Sequence, residues 1–244
     1  MQGRVLSTAA NPEGERMTLT VFDELEQGSD AWVNARAGLV TASTVKQLLT
    51  GAGKVAQNET SRGLVEKLAL ERITGRVQYM PPTFDMQRGT LLEADARAIY
   101  HERYNPVYEV GFGRIDDNGI AYGASPDGLT VDGHGGLEIK CPKPATHFRT
   151  ILESRVPPMY LPQIHMNMLV FDKGWWDFMS HDPGQPPFVK HVRRDAGWES
   201  LLLEAIRSAE TQITALLELW EDRTDGIETT PFFDPFNIDE EITF

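Results

Sequence analysis

Between Ser125 and Pro142 the chain reads Ser-Pro-Asp127-Gly-Leu, a Gly-rich connection, then Gly-Leu-Glu138-Ile139-Lys140-Cys-Pro. If residues 137–141 form a strand, side chains alternate, so Glu138 and Lys140 share one face and Ile139 turns to the other. A hairpin through residues 132–136 folds Asp127 back beside Glu138. Two carboxylates and an amine then converge. This grouping suits metal-assisted attack on a phosphodiester. Hard oxygen ligands from one or two carboxylates, completed by water and substrate phosphate, are the usual protein share of a Mg²⁺ site. The Ile139 carbonyl is a further candidate ligand. The ion polarises a phosphoryl oxygen and acidifies bound water. Lys140 orients that water, or takes its proton if neighbouring cations depress the ammonium.

The elements that must position these groups follow from periodicity and punctuation. Ser29 or Asp30 caps a short helix carrying Trp32 and Arg36, closed at Gly38. Thr41 or Ser43 starts another, ending near Gly51. Leu64, Leu68 and Ile73 fall at helical spacing over residues 61–73, and a further helix is expected over 84–104. Extended segments follow at 107–115, 120–123, 129–131 and 137–141, then helices over 145–153 and from Pro157-Pro158 to Phe171. Strands are expected at 174–180 and 188–192. A last helix over 197–220 carries a stripe of Trp198, Leu202, Ala205, Ala209, Ile213, Leu216 and Trp220, read as core packing. The pattern is an α/β core, a central sheet flanked by helices.

The order and wording of these segments resemble the Pro-Asp…Glu-x-Lys, or PD-(D/E)xK, nuclease superfamily, and within it the phage lambda exonuclease branch of YqaJ-type viral recombinase nucleases. Besides the hairpin, the resemblance rests on Gln27-Gly-Ser-Asp-Ala-Trp32, Arg36, Gly38, Thr41-Ala42-Ser43, Gly89-x-x-x-Glu93 and Gln163, and covers residues 26–171. It implies a restriction-endonuclease-like core with a mixed sheet. It also implies Mg²⁺ as cofactor, two ions, with Mn²⁺ as a substitute. Asp127, Glu138 and Ile139 would hold metal, with Glu93 serving a second ion directly or through water, and Gln163 helping to build the site.

At Arg36 the family carries an arginine that grips the 5′-terminal phosphate of a duplex. Ser43 and Thr41 add donors for the same anion. Met86 falls where relatives place an apolar residue that parts the terminal base pair; a core methionine is the other reading. Lys46, Lys54, Arg62, Arg76 and Arg88 lie upstream of the hairpin, where a basic track over the DNA backbone is expected. The resemblance implies a 5′→3′ exonuclease that starts at 5′-phosphorylated duplex ends, releases mononucleotides and leaves a 3′ single strand. A homotrimeric ring around DNA and a single-strand annealing recombinase as partner come with it. An endonuclease of the same superfamily, a noncatalytic DNA-end-binding protein and a Mg²⁺ phosphatase are the alternatives.

Composition bounds the rest. At 244 residues with 41% apolar side chains, the chain can bury one domain core, and no apolar run is long enough to span a bilayer. Its opening residues lack the order of a secretory signal, so the cytoplasm of a bacterial or phage-infected cell is expected. Cys141 stands alone, which excludes an internal disulfide and the four-cysteine iron–sulfur site of some superfamily members. The six histidines lack metal-type spacing.

A net charge of −13 runs against nonspecific DNA binding, which comes from Lys and Arg contacts to phosphate. Residues 221–244 carry −7 of it. Three segments are expected: an N-terminal extension over 1–20, one nuclease domain over 21–222, and an acidic, aromatic tail over 223–244. The tail ends in Phe244 and resembles the acidic tip of single-stranded-DNA-binding proteins. Docking of residues 238–244 on a protein partner is one reading, solvated chain or packing on its own domain the other.

Overall fold

Two glycines open the strand that bears Glu138, and their neighbours explain them. A Cβ on Gly135 would stand 2.3 Å from the Trp175 ring, and one on Gly136 2.3 Å from the Trp176 ring. Only a bare backbone lets these indoles lie flat against the strand, Trp176 being wholly buried.

The structure is a computed structural model that describes residues 3–10, 16–77, 81 and 83–233. In chain order the elements are β1 (Arg4–Ala10), β2 (Arg16–Phe22), α1 (Asp30–Ala35), β3 (Val40–Thr41), a 3₁₀ turn (Val45–Leu48), α2 (Glu59–Thr74) and α3 (Phe84–Arg103). Then come β4 (Val107–Tyr108), β5 (Phe112–Asp117), β6 (Ile120–Ala124), β7 (Gly128–Thr130) and β8 (Gly135–Lys140). The chain continues with α4 (Pro144–Glu153), a second 3₁₀ turn (Pro158–Tyr160), α5 (Leu161–Phe171), β9 (Trp175–Ser180), β10 (Phe188–Arg193) and α6 (Ala196–Thr224).

The strands make two five-stranded sheets, ordered β1-β2-β5-β6-β3 and β10-β9-β8-β7-β4. Both are mixed. β8 sits in the middle of the second, antiparallel to β7 and parallel to β9. The parallel pairing requires a crossover, and α4 and α5 form it. In the first sheet β3 runs parallel to β6, while the remaining pairs are antiparallel.

The largest core lies where α2, α5 and α6 meet the sheets. Leu64, Val65, Leu68 and Ala69 of α2 face Leu202, Ala205, Ile206, Ala209 and Ile213 of α6, spacings that keep one stripe of each helix inside. Arg72 reinforces the contact with a bidentate pair to Glu210, 2.6 and 2.7 Å. The opposite face of the second sheet packs Leu137, Ile139 and Met179 beneath Ala96 and Tyr100 of α3. Thus β8 is covered on both sides, by α3 and by α5.

Several boundaries depart from expectation for local reasons. Within the extension expected over 1–20, Arg4–Ala10 forms β1 and β2 begins at Arg16, pairing with β5 from Met17↔Asp117 to Phe22↔Phe112. The helix expected from Thr41 or Ser43 is instead β3 and a 3₁₀ turn: Thr44 Oγ1 accepts the Thr41 N–H at 3.0 Å, closing a side-chain turn that competes with a helical start. The stripe of α6 is buried from Leu202 through Ile213, while Trp198 is half-buried and Trp220 exposed. The tail residues 234–244 lie outside the described residues. Among the described residues, no helix is long and apolar enough to cross a membrane.

Candidate active site

Strand alternation sorts β8 as its sequence requires. Leu137 and Ile139 enter the core under α3, while Glu138 and Lys140 point toward α5. Gly128 pairs with Leu137, so Asp127 arrives beside Glu138. Asp127 Oδ2 accepts the Ile139 N–H at 2.6 Å, which fixes the carboxylate to the strand. The connecting turn is pinned by Asp132 Oδ1, which accepts from Thr130 Oγ1 at 2.6 Å and from His134 N–H at 3.0 Å. The hairpin read from the sequence is therefore present.

Glu138 is fully buried. Its Oε2 accepts from Asn167 Nδ2 at 2.9 Å, and its Oε1 forms an ion pair with Lys140 Nζ. The Lys140 ammonium also stands 5.6 Å from the centre of the Tyr160 ring. Gln163 lies on α5 one turn before Asn167 and is half-buried, which puts it on the helix face directed at Glu138. Asn167 is a site residue that the sequence did not announce. Its only signal is the i, i+4 spacing from Gln163.

Glu93 reaches the same region from α3. Arg97, one turn on, donates to Glu93 Oε1 at 2.6 Å and to the Asp127 carbonyl at 2.6 Å, and pairs with Glu109 at 2.7 Å. Glu93 and Asp127 are near enough to repel. Burial first, then the Asp127 charge, pushes the Glu93 carboxyl up to about 7. Burial pushes Glu138 up to about 7 as well, with Lys140 opposing and Asp127 adding to the rise. Asp127 itself is raised by burial against the pull of Lys140. Lys140 is held above its usual value: burial works against its charge, but Glu138 and Asp127 outweigh it. Paired with Glu138, Lys140 is held as an ammonium, a form suited to orienting water or phosphate.

A second cluster forms around Arg36. Its Nη2 donates to Ser43 Oγ at 2.9 Å and to Thr41 Oγ1 at 3.4 Å, and those two hydroxyls are 3.1 Å apart. The guanidinium carbon lies 3.7 Å from the centre of the Trp32 ring. Arg36 Nε is buried with no hydrogen-bond partner among the described residues. Burial lowers the guanidinium to about 10, against the charge of Glu71. A half-buried cation with one buried, unmet donor and two hydroxyls alongside has the chemistry to accept an oxyanion. This cluster is tied to the first: Trp32 Nε1 donates to Ser125 Oγ at 2.8 Å, and Gln27 Nε2 to the Pro126 carbonyl at 3.2 Å.

The remaining sequence candidates separate. Met86 is exposed on the first turn of α3, whose N-cap is Thr83, so the core reading does not apply. Arg88 turns inward, donating to the carbonyls of Cys141 and Pro142 at 2.7 and 2.6 Å and pairing with Asp182. It fastens α3 to the end of β8. Arg62 is on the exposed start of α2, with a 3.5 Å bond to the Gln57 carbonyl. Arg76 covers the Phe232 ring at 3.5 Å. Cys141 is half-buried, and burial pushes its thiol up to about 11, which makes it a poor nucleophile.

The donor set fits a hard divalent cation. It is oxygen-only, and burial raises each carboxyl above its ordinary value, with the Asp127 charge adding to the rise at Glu93 and Glu138. Among the described residues no three His, Cys, Asp or Glu side chains close on one point as a protein-only cage. Mg²⁺ needs no such cage, since it keeps several waters and takes one or two carboxylates plus phosphate oxygens.

A scan against family models matches residues 31–173 to the YqaJ-like viral recombinase domain. A search of curated proteins finds no match. Among solved structures, an alkaline exonuclease, LHK-Exo from Laribacter hongkongensis, is 32% identical and superposes with a TM-score of 0.72, over 82% of this chain and all of that one. The structure of LHK-Exo in complex with dAMP is 30% identical, with a TM-score of 0.71 over 82% of this chain and all of that one. A phage-related exonuclease from Haemophilus somnus 129PT shares the fold at 14% identity and a TM-score of 0.58, covering 75% of this chain and 96% of its own. With a mixed α/β architecture common to all three and a family match over more than half its length, the chain belongs to the YqaJ-like viral recombinase family.

Proposed function

We propose that this protein is a metal-dependent exonuclease that degrades one strand of linear duplex DNA from 5′-phosphorylated ends, in the 5′→3′ direction. The observation that carries the reading is the junction of two sites. An acidic face with a lysine is joined through Trp32 and Ser125 to an anion receptor at Arg36, Thr41 and Ser43. A nuclease that measures its cut from a terminal phosphate needs both.

Asp127, Glu138, Glu93 and the Ile139 carbonyl would hold Mg²⁺, or Mn²⁺ in its place, as two ions. When bound, these polarise the scissile phosphoryl group and acidify water. The chain's own part is positional. Arg36, with Ser43 and Thr41, grips the terminal phosphate. Lys140 holds the attacking water by its ammonium protons, and Glu138 keeps Lys140 in place. Gln163 and Asn167 steady Glu138 from α5. Met86, exposed at the start of α3, meets the end of the duplex. The product is a nucleoside monophosphate, the class represented by the dAMP bound to LHK-Exo.

The active assembly is a homotrimeric ring around DNA. Enclosure raises the effective DNA concentration and so offsets a net charge of −13. The 3′ strand left behind passes to a single-strand annealing recombinase. Linear duplexes labelled on either strand, bearing 5′-phosphate or 5′-hydroxyl, and a closed circle test the reading together. Stepwise loss from the 5′-phosphorylated strand, with the circle intact, is the expected result. Cutting of the circle would make the protein an endonuclease.

A further inference from the structure

We propose that Arg97 is the positioning residue that holds the acidic face ready for metal, an inference that rests on the metal-dependent reading above. Arg97 is four residues after Glu93 on α3, a spacing that on an open helix gives only a weak ion pair. Here the setting differs. The guanidinium is mostly buried and joins three elements, taking Glu93 on α3, the main-chain carbonyl of Asp127 ahead of β7, and Glu109 between β4 and β5.

The choice of atoms matters. Arg97 bonds the carbonyl of Asp127, whereas the Asp127 carboxylate is fixed by the Ile139 N–H. It bonds one oxygen of Glu93, Oε1. Arg97 thus sets the direction of Glu93 relative to Asp127 while bonding the main chain of Asp127 and leaving its carboxylate oxygens to the Ile139 N–H. Its fork is planar and permanently charged, so it offsets the mutual repulsion of these acids at every working pH. Glu138 has a comparable support in Asn167, but on the opposite face of β8. Removing the support of a ligand typically costs about 10–100-fold in metal affinity.

The test is Mn²⁺ binding to the full chain without DNA, read by electron paramagnetic resonance, for wild type, R97Q and R97K. In parallel, the Mn²⁺ concentration for half-maximal cleavage and the KM for DNA are measured, with melting of each metal-free protein. R97Q is expected to weaken Mn²⁺ binding about 10–100-fold and to raise the half-maximal Mn²⁺ concentration in step, with KM for DNA unchanged. R97K, which keeps the charge but not the fork, is expected to lie between. If R97Q does not fold, R97K decides on the same reading. Mn²⁺ affinity unchanged in the folded variants, with only the metal-free melting lowered, would overturn the proposal and leave Arg97 a structural bolt. A wild type that binds Mn²⁺ but cleaves no DNA would overturn the exonuclease reading and leave the Arg97 assignment standing.

Discussion

Trp32 Nε1 donates to Ser125 Oγ at 2.8 Å, and the Arg36 guanidinium stacks on the same indole. Ser125 precedes Asp127 by two residues, so the indole links the Arg36, Thr41 and Ser43 cluster to the acidic face. W32F keeps the aromatic face and deletes the N–H. The preference for 5′-phosphate over 5′-hydroxyl ends is expected to fall about 2–10-fold, the range for one hydrogen bond. Initial rates on matched duplexes check it. An unchanged ratio would show that the link sets nothing.

Glu138 trades stability for chemistry. Its carboxyl is pushed up to about 7 by burial, so ionisation costs the metal-free fold, with Lys140 and Asn167 recovering only part. E138Q is expected to lose at least about 100-fold in cleavage rate while melting in EDTA at or above the wild-type temperature. Melting several degrees lower would show that the Glu138–Lys140 pair is chiefly structural.

His165 supplies a pH dependence. It is buried on α5 and stacks on Trp198 at 5.0 Å, and burial lowers it to about 4, with Asp195 opposing. Unfolded, it titrates near 6.5. Between those values the unfolded chain binds a proton that the folded one refuses, so this contribution is complete above about pH 6.5 and is lost as pH falls toward 4. It is on the order of 3 kcal/mol. The stability difference between wild type and H165F, from urea unfolding at each pH, is expected to change by that amount over the window. A difference flat with pH would contradict it.

The sheet places a limit on β8. G136A puts a methyl carbon 2.3 Å from the Trp176 ring, and the buried indole has nowhere to yield. A loss of about 1–3 kcal/mol is expected in urea unfolding, with cleavage reduced because Glu138 is two residues on. Wild-type stability in this variant would mean that the indole moves freely.

How much of this was legible in the sequence depended on range. The hairpin, the Ser29 cap and the alternation of Glu138, Ile139 and Lys140 are local, and all are present in the fold. Arg36, Thr41 and Ser43 also meet in the fold, Arg36 and Ser43 being only seven positions apart in the chain. Arg97 and Asn167 were not legible, because their roles arise only when α3 and α5 close on opposite faces of β8. Arg88 is expected in the basic track over the DNA backbone, but its guanidinium bonds the carbonyls of Cys141 and Pro142, partners more than 50 residues away. The β1–β2 pair lacked a motif, and its place beside β5 is set by tertiary pairing.

The most direct test of the central claim is single-turnover cleavage of a 5′-phosphorylated duplex by wild type, K140A and D127N, with Mg²⁺ and with EDTA, alongside binding of the same duplex. Wild type with Mg²⁺ is expected to release mononucleotides from the 5′ end. EDTA and both variants are expected to abolish release while leaving end binding within about threefold, because Arg36, Thr41 and Ser43 are untouched. Mononucleotide release by K140A or D127N at the wild-type rate would contradict the assignment of chemistry to Asp127, Glu138 and Lys140.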